Sequence, residues 1–272
     1  MTLSIQLLGR IYDAISRNGF GEDTYPTRKH ELVRWLGWRM SKPNVYLLAG
    51  GRPSSREAVF PLIHTVLGGY GIASPTVAYT GTANGDDENF FQRIADTLVA
   101  AGAGKVNHAV ISSDKADLQK TKEILSSADI VFISGGDVDE GIRVLEEKGM
   151  ITFLRGLYEE GKPFFGRSAG SIMLAKCWVR WSDPNMDSTA TLFPCLGFAP
   201  IVCDTHGEQD DWEELRVALE LTKDGEKGYG IVSGTAIKVY TDGRVEALGG
   251  AVHQFVNNNG KVIRLPNILP VV

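Results

Sequence analysis

From residue 45 onward the chain is a series of short apolar runs separated by amphipathic stretches, and this alternation limits the fold more than any other feature. The runs are VYLLAG (45–50), TVAYTG (76–81), NHAVIS (107–112), DIVFIS (129–134) and PFFG (163–166). Amphipathic stretches near 54–68, 86–102, 117–126 and 138–160 read as helices, the last interrupted near Gly149. Strands that are apolar on both faces and joined by helices require a parallel sheet covered on both sides. After residue 196 the pattern changes. FAPIVC (198–203) reads as a strand and DDWEELRVALEL (210–221) as a helix. TAIKVY, VEALGG and AVHQFV then follow, with TDGR between the first two and NNNG after the last, and read as a β-meander.

Residues 1–42 are of another kind. Leu3, Leu7, Leu8, Ile11 and Ile15 recur at helical spacing, and a second helix is expected from about Thr27 to Met40. The expected organisation is therefore an N-terminal helical extension, 1–42, and an α/β domain, 43–272. The extension is expected to pack on the domain or to support a homo-oligomer.

A chain of 272 residues with 43% hydrophobic content can bury a sizeable core, and a formal charge of −5 argues against a nucleic-acid partner. No apolar stretch approaches the roughly 20 residues that span a bilayer, so no membrane partner is expected. Three cysteines at 177, 195 and 203 fit neither a CxxC nor a zinc spacing. With no secretory signal pattern at the N-terminus, a cytoplasmic location is expected.

The strongest chemical signal is GRSAG at 166–170, a Gly-x-Ser-x-Gly turn between the apolar run PFFG and the helical AGSIMLAKC. In such an elbow the serine occupies a tight strand-to-helix turn, and small neighbours are needed because adjacent backbone comes close. A bland βα turn has the same composition, so context carries the assignment of Ser168 as nucleophile. A serine hydroxyl needs a base. Of five histidines, His30 and His64 fall on expected helices, His108 starts a strand and His253 lies in the meander. His206 alone sits in a loop beyond the end of a strand, on the functional edge of a parallel sheet. ISGGD (133–137) permits a tight turn whose Gly136 amide could meet an oxyanion. The Gly-rich LLAGGRPSS (47–55) reads as an ordinary turn. Asp204, His206, Glu208 and Asp210 in DTHGEQDD form an oxygen-and-imidazole set, but such a run more commonly is a solvated loop opening a helix. No metal and no cofactor are expected.

Taken in order, LLAGG, DIVFISGGD, FFGRSAGS, the strand ending in a histidine loop, and GYGIVSGTAIKVYTDGRVEALGGAVHQFV resemble the dipeptidase E / cyanophycinase family of serine peptidases. The resemblance runs from about residue 45 to 256. It implies a class I glutamine amidotransferase-like fold, a three-layer α/β arrangement with a mostly parallel sheet flanked by helices. It also implies hydrolysis of a small peptide or isopeptide amide through an acyl-enzyme. Carried across, the nucleophile is Ser168, the base His206, and the oxyanion donors the amides of Gly136 and Ala169. Asp183 in WVRWSDP matches an aspartate that follows the nucleophile in dipeptidase E. Two positions depart from the family. Ser233 stands where a glutamate orients the histidine, and Gly207 where an aromatic follows it. Glu208 or Asp204 is then the available substitute acid. The competing expectation is a catalytically weakened relative that binds a small ligand or partner.

Overall fold

The computed structural model describes residues 42–50, 56–183 and 186–270, and elements are numbered over those residues. The extension of residues 1–42 lies, but for Lys42, outside them. The principal sheet contains β1 (Val45–Leu48), β2 (Thr76–Thr80), β3 (Lys105–His108), β4 (Ile130–Ile133) and β5 (Phe164–Arg167), together with β10 (Ala236–Val239) and β11 (Val245–Leu248). Its order is β11-β10-β1-β5-β4-β2-β3. The first five strands run parallel, and β10 and β11 close one edge antiparallel.

Period-2 geometry divides these strands between two cores. Val45, Leu47, Val131 and Ile133 point to one face, and Tyr46, Leu48, Ile130 and Phe132 to the other. The second face is covered by α1 (Arg56–Gly69) and α2 (Glu88–Ala100), through Leu62, Ile63, Val66, Phe91, Ile94 and Leu98. The first is covered by α3 (Leu118–Ser127), α4 (Val138–Glu147), α5 (Ile151–Glu159) and α6 (Ala169–Leu174). Because both faces are buried, the strands read as continuous apolar runs rather than as alternation. Three of the helices start on an aspartate whose carboxylate accepts an amide of the first turn, Asp87 from Phe90, Asp117 from Lys120 and Asp137 from Glu140. The break expected near Gly149 separates α4 from α5.

The expected single meander is instead divided between two sheets. TAIKVY and VEAL form β10 and β11 at the edge of the principal sheet, whereas AVHQFV forms β12 (Val252–Asn258) in another. That second sheet has the order β13-β12-β9-β8, with β8 (Val202–Thr205), β9 (Lys227–Ile231) and β13 (Lys261–Ile268). It packs with α7 (Glu213–Glu220) on the first core, through Val202, Leu215, Leu219, Tyr229 and Phe255. A turn-rich series fixes local hairpins, but which sheet each hairpin joins depends on the core it covers. A further hairpin, β6 (Cys177–Trp181) with β7 (Ala190–Pro194), comes from the run CWVRW, whose aromatic and β-branched content is the signal that sequence reading passed over.

Candidate active site

The ends of β1, β2, β4 and β5 meet α2 around a cavity of about 670 Å³. Its walls include Gly50, Asn84, Arg93, Gly135, Gly136, Arg167, Ser168 and His206. Residues drawn from across the chain thus converge at the carboxyl edge of the parallel strands.

Ser168 follows β5 and precedes α6 with φ 55 and ψ −130, a backbone conformation that side-chain-bearing residues avoid. The glycines on either side make it possible. A Cβ on Gly166 would lie 2.4 Å from the Gly170 carbonyl oxygen, and one on Gly170 would lie 2.1 Å from that of Ile133. The turn is anchored to β1 twice. The Ser168 amide donates to the Leu48 carbonyl at 2.8 Å, and the Ser171 hydroxyl donates to the same oxygen at 2.9 Å. The local sequence therefore forms the elbow that its glycines predict.

His206 also lines the cavity, just past β8, with φ 69. Its Nδ1 lies 3.2 Å from the Ser233 hydroxyl oxygen. The Ser233 amide in turn donates to Glu208 Oε1 at 2.5 Å. Burial alone would raise the Glu208 carboxyl, but the Ser233 amide, the Ser233 hydroxyl and the charge of His206 outweigh it and hold the group below its ordinary value. Glu208 Oε2 is buried and makes no hydrogen bond among the described residues.

Asp204 differs sharply from Glu208. It is buried, and burial pushes its carboxyl up to about 8, with Glu214, Asp210 and Glu208 adding repulsion against a hydrogen bond from the Thr205 amide. Of the two carboxyls, Glu208 is the one whose surroundings favour the charged form. Gly207 is accounted for by Trp212. A Cβ on Gly207 would lie 2.7 Å from that indole, which is itself 1% exposed and fills the space beside the histidine loop.

The other expected residues are distributed as follows. Gly136 lines the cavity, and Ala169 is the buried first residue of α6. Neither of their amides has an acceptor among the described residues. Asp183 is not among the residues that line the cavity. It lies in the connection from β6 to β7, where its backbone pairs with the Thr189 hydroxyl. The remaining histidines in the described residues are engaged elsewhere, His64 with the Ala101 carbonyl, His108 with Glu88 and His253 with Asn267. Among the described residues no three His, Cys, Asp or Glu side chains are grouped to hold a metal ion, Asp204, His206, Glu208 and Asp210 included. No helix among them is long and apolar enough to cross a membrane. Cys195 and Cys203 are buried, which pushes Cys203 well up, and Cys177 is half-buried. Asn84, Arg93 and Ser233 are the site residues that motif reading gave no role or a doubtful one.

A mostly parallel central sheet flanked by helices is the fold of the peptidase E-like α/β proteins. A peptidase from an acI-B1 actinobacterium superposes with a TM-score of 0.64 at 16% identity, covering 85% of this chain and 98% of that one. A candidate peptidase E from Listeria monocytogenes does so with a TM-score of 0.54, also at 16% identity, covering 76% and 98%. The chain belongs to peptidase family S51, whose family model matches residues 45–247. Among curated relatives, peptidase E of Pasteurella multocida is 25% identical over 161 residues, 56% of this chain and 65% of that protein. A pyridoxal 5'-phosphate synthase subunit PdxT from Anoxybacillus flavithermus is 37% identical over a shorter stretch of 67 residues, 25% of this chain and 35% of that one. The chain thus spans between about a third and two thirds of the length of these relatives.

Proposed function

We propose that this protein is a serine-type peptidase that cleaves a small peptide or isopeptide amide through an acyl-enzyme on Ser168. The observation that carries this reading is the backbone of Ser168, φ 55 and ψ −130, on the wall of a cavity that His206 also lines. A structural serine has no reason to hold a costly conformation at a cavity wall. Membership of a peptidase family supports the same reading.

In this mechanism Ser168 Oγ attacks the amide carbon while its proton passes to His206 Nε2. The oxyanion that forms accepts from the amides of Gly136 and Ala169. The protonated imidazole then delivers its proton to the departing amine nitrogen as the C–N bond breaks. Water, deprotonated by the same nitrogen, attacks the acyl-enzyme, releases the acid and restores Ser168. His206 Nδ1–H donates to Ser233, and the Ser233 hydroxyl donates to Glu208, so the carboxylate acts on the imidazole through a hydroxyl. Among the described residues Arg93, Asp96 and Arg167 line the cavity.

Intact-protein mass spectrometry after fluorophosphonate treatment tests the reading. One adduct is expected on the parent and none on Ser168→Ala. An adduct that persists in the variant removes Ser168 from the mechanism. The second reading, a catalytically weakened relative that binds a small ligand or partner, draws on Ser233 at the acid's position, and a parent that takes no adduct would favour it.

A further inference from the structure

Sequence reading gave the turn after β2 no role, yet it forms one wall of the cavity and grips the segment that carries Gly136. We infer that Asn84 is a positioning residue that sets the orientation of the Gly136 amide for oxyanion binding, an inference that rests on the serine-peptidase reading. Asn84 ends a short 3-10 turn, Thr82–Asn84. Its Nδ2 donates to the Gly135 carbonyl at 2.7 Å, with the Tyr79 and Ser134 hydroxyls both farther away at 3.4 Å. Its Oδ1 accepts the Asp87 amide at 3.3 Å, which fixes which end of the side-chain amide faces Gly135.

The peptide between Gly135 and Gly136 is trans, so its carbonyl and its N–H point in opposite directions. Holding the Gly135 oxygen toward Asn84 therefore turns the Gly136 N–H away from the turn. On the other side of Gly136, the Asp137 amide donates to the Ala83 carbonyl at 2.7 Å. The two hydrogen bonds pin the peptide planes before and after Gly136. The approach is close enough that a Cβ on Gly136 would lie 1.9 Å from the Ala83 oxygen, and its φ of 151 is open to glycine. Gly135 backs directly on the nucleophile, since a Cβ there would lie 2.9 Å from the Ser168 Cβ. Catalytic donors are effective because they are oriented before charge develops, and a pinned peptide without an acceptor of its own among the described residues meets that requirement.

The test uses the full chain with two probes, a fluorophosphonate, which stops at the serine adduct and so reports the attack step alone, and p-nitrophenyl acetate, whose turnover includes deacylation and whose activated leaving group needs no proton. Asn84→Ala, and Asn84→Asp with an acceptor facing the Gly135 carbonyl, should each slow phosphonylation by about tenfold to a hundredfold, at or below the loss for an oxyanion donor itself. Ester turnover should fall in kcat with KM unchanged. Labelling within about threefold of the parent would overturn the inference, as would a rise in KM at constant kcat, which would make Asn84 a substrate contact. Amide NMR of the same variants supplies a readout independent of the reaction. The Gly136 resonance should move when Asn84 is removed, and an unmoved resonance would overturn the inference even if turnover fell. A parent that takes no fluorophosphonate but loses its Gly136 shift in Asn84→Ala would retain the positioning contact and reject the peptidase reading alone.

Discussion

The Ser233 hydroxyl oxygen lies 3.2 Å from His206 Nδ1, while the amide of the same residue holds Glu208 at 2.5 Å. One residue thus contacts both the imidazole and the carboxylate. Loss of a triad acid's charge with geometry preserved costs on the order of 10⁴ in turnover. Glu208→Gln is expected to lower fluorophosphonate labelling and ester turnover by about 10² or more, less than the direct case because a hydroxyl intervenes. Ser233→Glu should not raise activity, because it sets a second carboxylate beside Glu208, but Ser233→Glu combined with Glu208→Gln should recover activity over Glu208→Gln alone. Full activity in Glu208→Gln, measured with either probe, would remove this acid from the site.

The strain at Ser168 makes a stability prediction with the opposite sign to activity. A residue held in a region that suits glycine costs on the order of 1–3 kcal/mol, offset in part by the greater chain entropy of glycine. Ser168→Gly should therefore abolish labelling and raise unfolding stability by about 1 kcal/mol, read from urea denaturation. A destabilised Ser168→Gly would mean that the elbow carries no strain to release.

Asp204 should impose a pH-dependent penalty. Its carboxyl titrates at about 8 in the folded protein and ordinarily at 3.8. The unfolded chain releases this proton first, so stability declines as pH rises from 3.8 toward 8, by up to about 1.4 kcal/mol per pH unit. Asp204→Asn should flatten that decline and raise the melting temperature at pH 8 by at least about 4 °C. Calorimetry at pH 5 and pH 8 separates this outcome from a uniform gain or loss, which would contradict it.

Asp86 and His108 act in the opposite sense on either side of neutrality. Burial would raise Asp86, but the His108 imidazole, whose Nε2 lies 3.5 Å from Asp86 Oδ1, and hydrogen bonds from the Ser112, Ile111 and Gly81 amides keep it below 3.8. Its contribution is present above 3.8 and is lost as pH falls through the folded value. Burial would lower His108, yet Asp86 and Glu88 raise it above 6.5. That contribution is complete below 6.5 and is lost as pH rises through the folded value. Asp86→Ala strands buried amides and should cost about 2–4 kcal/mol. Asp86→Asn should also shrink both pH limbs in equilibrium unfolding; limbs unchanged in Asp86→Asn would refute the pairing.

Much of the fold was legible because it depends on local physics. The run DIVFIS is a strand buried on both faces whatever lies elsewhere, and GRSAG is an elbow because the glycines at 166 and 170 remove side chains that adjacent backbone would strike. His206 emerged by elimination among five histidines, since its loop alone follows a strand end. The meander was misread because the turns that make hairpins carry no mark of which core a hairpin will cover.

The amino-acid sequence by itself determined the parallel α/β class, the serine elbow and the histidine loop, each set by periodicity or by small residues within about ten positions of chain. Only the tertiary structure decided that Glu208 meets Ser233 beside His206 and that Asn84 meets the Gly135 carbonyl. Glu208 and Ser233 are 25 residues apart, and Asn84 and Gly135 are 51 apart. Contacts across such separations arise from strand order and helix packing, which no short pattern encodes. Burial acts in the same way: Asp204 and Glu208 are both loop carboxyls in the sequence, but burial pushes Asp204 up to about 8, whereas hydrogen bonds from Ser233 hold Glu208 below its ordinary value.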